Sequence, residues 1–178
     1  AHGLPPGYHL LVFLIAFWPG SFFVAAALPA IWQNRKAQKV QYLLCWVIPH
    51  WLVFELIATK LPHYVLPTYP ALAVLTAGML MRGAPVWRDW PKQVWARGLL
   101  GLYAAAWCVV GLILSVAGPV MLWRLEHVLS LPALVLAGGC VPLVGLACVQ
   151  IWQSELRQAL LTSATCAALL YVGLFTVV

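Results

Sequence analysis

Charged side chains are scarce in this 178-residue chain. Only 8% of the residues are charged and 64% are hydrophobic, whereas a soluble domain has about 25% charged and about 45–50% apolar residues. Acidic residues are fewer than basic ones, with four Asp and Glu against ten Lys and Arg, which gives a formal net charge of +6. So little polar surface excludes a water-soluble globular protein. The sequence therefore predicts a membrane protein.

Cysteine motifs are also lacking, because none of the five cysteines is spaced as Cys-x-x-Cys. This excludes a zinc knuckle and gives no support to a disulfide framework. All five lie within apolar runs, where we expect small core residues: Cys45, Cys108, Cys140, Cys148 and Cys166.

Long apolar runs are what the sequence does contain. Each is close to the roughly 20 residues that a helix needs to cross a bilayer. We therefore expect an all-α, polytopic transmembrane bundle of about six spans, with residues 1–178 forming a single transmembrane domain. The six predicted spans are residues 8–32, 41–58, 64–81, 98–121, 131–152 and 159–178.

The basic residues cluster at the ends of these runs, which is typical of cytoplasmic loops and not of a nucleic-acid surface. Under this rule the N-terminus, the turn at 59–63, the loop at 122–130 and the C-terminus lie outside. The two clusters are Arg35, Lys36 and Lys39, and then Arg82, Arg88, Lys92 and Arg97.

One candidate site lies at the outer ends of the second and third predicted spans. There Lys60 supplies a positive charge, His63 a donor that changes charge near neutral pH, and Tyr64 a hydroxyl, a set suited to a lipid phosphate. Pro62 should force Leu61 out of the helical conformation. The alternative is structural: Lys60 reaches the headgroups and pairs with Glu55, while Tyr64 joins an aromatic belt. Both interpretations stay open on residue types alone.

Histidines on the same predicted side form a second candidate, because imidazoles with a carboxylate can hold a divalent metal. His2, His9, His63 and His127 all fall outside, with Glu55 near them, but their spacing follows no known ligand pattern. His50, in the middle of a predicted span, is expected to be a hydrogen-bonded packing residue.

The string from Phe54 to Ala73 contains Lys60-Leu-Pro-His-Tyr64-Val-Leu-Pro67. This resembles the Lys-Leu-Pro-x-Tyr-x-Leu-Pro signature of bacterial membrane glycosyltransferases related to the aminoarabinose transferase of lipid A and to protein O-mannosyltransferases. Upstream, a second pattern is similar to the family's His-x-x-Pro-x-x-Tyr, followed by a bend that resembles its first span after a large periplasmic loop. That pattern is His2, Pro5 and Tyr8, and the bend is Phe17-Trp18-Pro19-Gly20.

The resemblance covers residues 1–80 and implies a GT-C enzyme that takes a sugar from a polyprenyl phosphate carrier at the periplasmic face. It implies Lys60 and Tyr64 as contacts of the carrier phosphate, and His2 as a metal ligand or phosphate neighbour. The family's general base is an acidic residue of the first periplasmic loop. None of the four acidic residues resembles it: Glu55, Asp89, Glu126 and Glu155.

We therefore expect the C-terminal half of such a transferase, inactive alone, in the bacterial inner membrane with its N-terminus in the periplasm. The start at Ala1, without a signal peptide, fits a piece of a longer chain. Membrane lipids, a polyprenyl-phosphate sugar and other membrane subunits are the expected partners, and nucleic acid is not. The alternative is a non-catalytic scaffold subunit in a membrane complex. A solute transporter fits less well, because the polar groups gather at one face.

Overall fold

The computed structural model describes residues 5–57, 60–82, 94–127 and 130–177. These ranges are helical with short connections and contain no β-strand, so the all-α prediction is confirmed. The chain divides into two compact units, residues 1–92 and 93–178. The single transmembrane domain stays a prediction.

The described part of the N-terminal unit contains four α-helices and one 3₁₀ helix. The 3₁₀ helix follows Leu61, which has the extended backbone that the next residue, Pro62, demands. This confirms the predicted break before Pro62. The elements are α1 (Tyr8–Ala16), α2 (Gly20–Gln33), α3 (Gln38–Leu56), the 3₁₀ helix (Pro62–Thr68) and α4 (Tyr69–Met81).

A sharp bend separates α1 from α2, where the sequence predicts one span with a bend at residues 17–20. The two helix axes differ in direction by 115°. Gly20 begins α2 against the Phe17 ring, and a Cβ at this position would lie 2.7 Å from Phe17 Cε1. A larger residue at this position would displace the Phe17 ring, so the close approach favours glycine.

Two apolar clusters hold the N-terminal unit together. One joins α2, α3 and α4, and the other joins α1 and α2 to the 3₁₀ helix and the start of α4. In the second cluster the Phe13 ring packs edge-on against Tyr69, with ring centres 5.7 Å apart. The buried members are Ala27, Ala30, Ile31, Val40, Leu75 and Met79 in the first cluster, and Phe13, Val24, Val65 and Tyr69 in the second.

The C-terminal unit is a three-helix arrangement in which α6 packs against both α5 and α7. Its interior is apolar and includes the fully buried Trp107 and Val144. Polar side chains bond within a helix, as where the Ser115 hydroxyl donates to the Gly111 carbonyl at 2.8 Å. They also bond between helices, as where the Thr162 hydroxyl donates to Gln150 Oε1 at 2.9 Å. The helices are α5 (Val94–Glu126), α6 (Leu131–Trp152) and α7 (Leu156–Val177).

The expectation that all five cysteines are free core residues is wrong for three of them. Cys108 on α5 and Cys148 on α6 form a disulfide, with Cα atoms 6.6 Å apart. Helix packing brings these positions together across 40 residues of sequence, so no local spacing could indicate the pair. Cys140 and Cys166 are buried free thiols, as expected of core residues, whereas Cys45 is exposed.

Within the residues that the structure describes, three helical segments are long and apolar enough to cross a membrane. The bent pair α1 and α2 would add a fourth if it forms one span. Six spans are therefore not confirmed. In the described ranges α3 falls short because Gln41, His50 and Glu55 interrupt its apolar sequence. The three segments are Pro62–Met81, Gly98–Arg124 and Leu131–Trp152.

Candidate functional site

A buried polar cluster lies where the start of α1 meets the end of α3. Its centre is the carboxylate of Glu55, whose side chain is 19% exposed. Lys60, four residues beyond the end of α3, donates to Glu55 Oε1 at 2.7 Å. His9 Nδ1 lies 3.1 Å from Oε2. We call these three residues the Glu55 cluster. It brings together residues up to 51 positions apart in the sequence.

Glu55 also caps α1. The Gly7 amide donates to Glu55 Oε1 at 2.6 Å, and a carboxylate at a helix N-terminus interacts favourably with the helix dipole. Gly7 reaches this position with a φ of 91°, a left-handed conformation that glycine adopts without strain. The left-handed conformation of Gly7 thus directs its backbone amide toward the side chain of Glu55 on α3.

The three donors determine the charge of the carboxylate. Burial raises the pKa of Glu55, but hydrogen bonds from Lys60, Gly7 and His9 outweigh it and hold the pKa below its usual value of 4.5. Glu55 lies outside the three segments that qualify as spans. It is therefore ionised at neutral pH and balances positive charge on the residues around it.

Lys60 is held in this cluster. Its side chain is 3% exposed, and its ammonium also donates to the Pro5 carbonyl at 3.2 Å. Of the structural alternative, the pairing with Glu55 is present, and the contact with the headgroups stays a prediction. Two acceptors for three N–H groups leave one ammonium hydrogen without a partner among the described residues.

The 3₁₀ helix carries the two other predicted phosphate contacts. His63 is exposed and Tyr64 is half-buried, with the Tyr64 ring packed on Phe54 at 4.7 Å between ring centres. His50 Nε2 lies 2.8 Å from the Tyr64 carbonyl, which confirms His50 as a hydrogen-bonded packing residue. This bond ties the 3₁₀ helix to α3 and so fixes where Tyr64 stands relative to the end of that helix.

The metal hypothesis gains no support from the described residues. They contain no group of three or more His, Cys, Asp and Glu side chains placed to hold an ion. His9 and Glu55 do meet, but their third partner is the cation Lys60. His2 lies outside the described residues.

Sequence reasoning missed the role of His9. It placed His9 only among candidate metal ligands, whereas the structure has it fully buried beside Glu55. A histidine at the start of an otherwise apolar helix was the available signal, because a buried imidazole needs a polar partner.

Comparison with known proteins identifies relatives over nearly the whole chain. A relative from Aeromonas salmonicida (strain A449), named undecaprenyl phosphate-alpha-4-amino-4-deoxy-L-arabinose arabinosyl transferase, is 32% identical over 178 residues, covering 97% of this chain and 31% of its own length. The chain is a homologue of bacterial aminoarabinose transferases. A relative of the same name from Wigglesworthia glossinidia brevipalpis is 36% identical over 77 residues, covering 43% of this chain and 14% of that protein.

The chain thus spans less than a third of the length of these aminoarabinose transferases. No protein-family model matches it, and no solved structure does. The homology and the apolar helices together establish a transferase-related, multi-pass membrane protein. The predicted resemblance is confirmed.

Proposed function

We propose that this chain is a membrane part of a glycosyltransferase that takes its sugar from a polyprenyl phosphate carrier at the periplasmic face. The carrying observation is the Lys60 ammonium, which is buried, fixed by Glu55 and left with one N–H that has no described partner. The names of the homologues support the carrier, because each includes undecaprenyl phosphate.

In this proposal Lys60, His63 and Tyr64 bind the carrier phosphate. Lys60 donates its remaining N–H to a phosphate oxygen and keeps its contacts with Glu55 and with the Pro5 carbonyl. The new contact is favourable because a hydrogen bond between two ionised groups is roughly twice as strong as one between neutral groups. Tyr64 donates its hydroxyl from a ring that Phe54 holds in place.

The test is binding of polyprenyl phosphate to the chain in lipid nanodiscs. Losing one charge-assisted contact costs about 1.5–3 kcal/mol, or roughly ten- to a hundredfold in affinity. We expect this loss in Lys60→Ala and a smaller one in Tyr64→Phe. Matched controls are Lys39→Ala and Tyr42→Phe, which change an exposed lysine and an exposed tyrosine at the other end of α3.

Equal affinity in Lys60→Ala, Tyr64→Phe and both controls would contradict the proposed site. Thermal unfolding of each variant separates loss of binding from loss of folding. If Lys60→Ala unfolds at a lower temperature than wild type, Lys60→Met replaces it, because methionine keeps the aliphatic part of the lysine side chain.

We further propose that Glu55 is not the general base of the transfer. A base must accept a proton from the acceptor, and the Glu55 oxygens already accept hydrogen bonds from Lys60, Gly7 and His9. The purified chain, given polyprenyl-phosphate sugar and lipid acceptor, should form no product. Product that disappears in Glu55→Gln would assign the base to Glu55 and overturn this part of the proposal.

A further inference from the structure

His9 stands between two acceptors. Its Nδ1 lies 3.1 Å from Glu55 Oε2 and its Nε2 lies 3.3 Å from the Leu61 carbonyl oxygen. The side chain is fully buried, so water does not take the place of either partner. Each ring nitrogen therefore faces an oxygen that can only accept.

Both ring nitrogens need a hydrogen to satisfy these two acceptors. A neutral imidazole has one N–H and one bare nitrogen, and the bare nitrogen would face an oxygen lone pair. Only the imidazolium donates on both sides, and one of its partners is an ionised carboxylate, which favours the positive form. The contacts thus fit a cationic His9.

The charges around Glu55 then do not cancel. One carboxylate lies between two cations, His9 and Lys60, so the cluster carries a net charge of +1. The titratable groups in contact with His9 are Tyr8 on its own helix and Glu55 on α3, and Lys60 joins them through the shared carboxylate. If His9 loses its proton, the Glu55 charge balances Lys60 alone and the net charge falls to zero.

Building on the proposed function, we propose that His9 is a positioning residue for the phosphate site. As a cation it shares the Glu55 carboxylate with Lys60 and so leaves the ammonium with positive charge for a phosphodiester. His9 touches no ligand in this account and acts only through Glu55. Phosphate binding is therefore coupled to the protonation of His9.

The experiment measures binding against pH with a ligand that does not titrate. The probe is a short-chain polyprenyl phosphate methyl ester, a phosphodiester that keeps one negative charge across the range, bound to the chain in nanodiscs. Histidine is the side chain that changes charge between about pH 5 and 8, and ¹⁵N NMR of labelled histidines reports the His9 charge in the same samples. We expect affinity to fall about tenfold as His9 loses its proton.

Two variants sharpen the test. His9→Gln keeps a donor toward Glu55 without the charge, so its binding should be weak. Because His63 of the proposed site can also change charge, wild type and His9→Gln are both compared with His63 replaced by Gln. In that background the His9→Gln protein should bind independently of pH over the range in which the protein with His9 changes. His127→Gln alters an exposed histidine of the C-terminal unit and should keep the wild-type affinity and pH profile.

The outcomes separate this inference from the proposed function. Strong, pH-independent binding by wild type, or a His9→Gln profile equal to wild type, overturns the inference and leaves the phosphate site standing. A neutral His9 in the ¹⁵N spectrum at the lowest pH also overturns it. Absence of binding at every pH, with a doubly protonated His9, overturns the proposed function and the coupling that rests on it.

Discussion

The two units of this chain are stabilised in different ways. The N-terminal unit buries an ion cluster in which Glu55 accepts from three donors on two other segments. The C-terminal unit packs apolar helices and joins two of them by a disulfide. Among the side chains that the structure describes there, none forms an ion pair. The proposed phosphate site lies in the first unit, beside this ion cluster.

The free energy needed to bury an ion cluster differs from that needed to bury an apolar interface. Burying charges is expensive unless geometry compensates for the lost water, whereas an apolar interface has no such cost. A helix junction that keeps a buried lysine, carboxylate and histidine is therefore explained by function better than by stability.

The largest expected effect is at the centre of the ion cluster. Glu55→Ala leaves Lys60 and His9 buried without their counter-charge and should lower the free energy of unfolding by about 3–5 kcal/mol. Glu155→Ala, at an exposed position between α6 and α7, should change it by less than about 0.5 kcal/mol. Urea unfolding in detergent micelles measures both. Equal changes in the free energy of unfolding for the two variants would show that Glu55 does not stabilise the ion cluster.

Acid should weaken the same cluster reversibly. Because the folded pKa of Glu55 lies below its usual value of 4.5, its contribution is complete above that value and is lost as the pH falls through the folded pKa. Acid unfolding of wild type should therefore show a stability loss below about pH 4 that Glu55→Gln lacks. Parallel curves for the two proteins would contradict this role.

An intermediate effect is expected from the disulfide. Replacing Cys108 and Cys148 by Ser should lower the free energy of unfolding of the C-terminal unit by about 2–4 kcal/mol. Cys45→Ser, at an exposed free thiol, is the control and should have little effect. Mass spectrometry after alkylation checks the pairing: Cys108 and Cys148 should react only after reduction. Alkylation of all five cysteines in unreduced, unfolded protein would show that the bond does not form.

The smallest effect concerns the turn before α1. Gly7→Ala forces a Cβ into the left-handed conformation at φ 91° and should cost about 1–2 kcal/mol. Gly78→Ala, inside α4 with no atom within 4 Å of the new Cβ, should instead stabilise by about 0.5–1 kcal/mol. The two thermal shifts should therefore have opposite signs. The same sign in both would remove the conformational argument for Gly7.

Local features of this fold were open to sequence reasoning. Apolar length places α6 at residues 131–152, the range that the structure has, and Pro62 fixes the extended backbone of Leu61. The α1–α2 bend also follows from its local residues. These features depend on neighbours along the chain, which a single sequence displays.

The long-range contacts that define the site could not be predicted from the sequence. His9 and Glu55 are 46 residues apart, and Cys108 and Cys148 are 40 apart. Both pairs depend on which helix faces touch, and apolar runs without a polar face do not specify that. The Lys60 and Glu55 pair was foreseeable because only five residues separate them.

The contact between Lys60 and a carrier phosphate is the central claim, and a solid-state NMR distance tests it most directly. The chain, labelled with ¹⁵N at lysine Nζ, is reconstituted with polyprenyl phosphate, and ³¹P–¹⁵N dipolar dephasing is recorded. We expect one dephased lysine signal that is absent in Lys60→Ala and kept in Lys39→Ala. A dephased signal that survives Lys60→Ala, or none in wild type with the lipid bound, would contradict it.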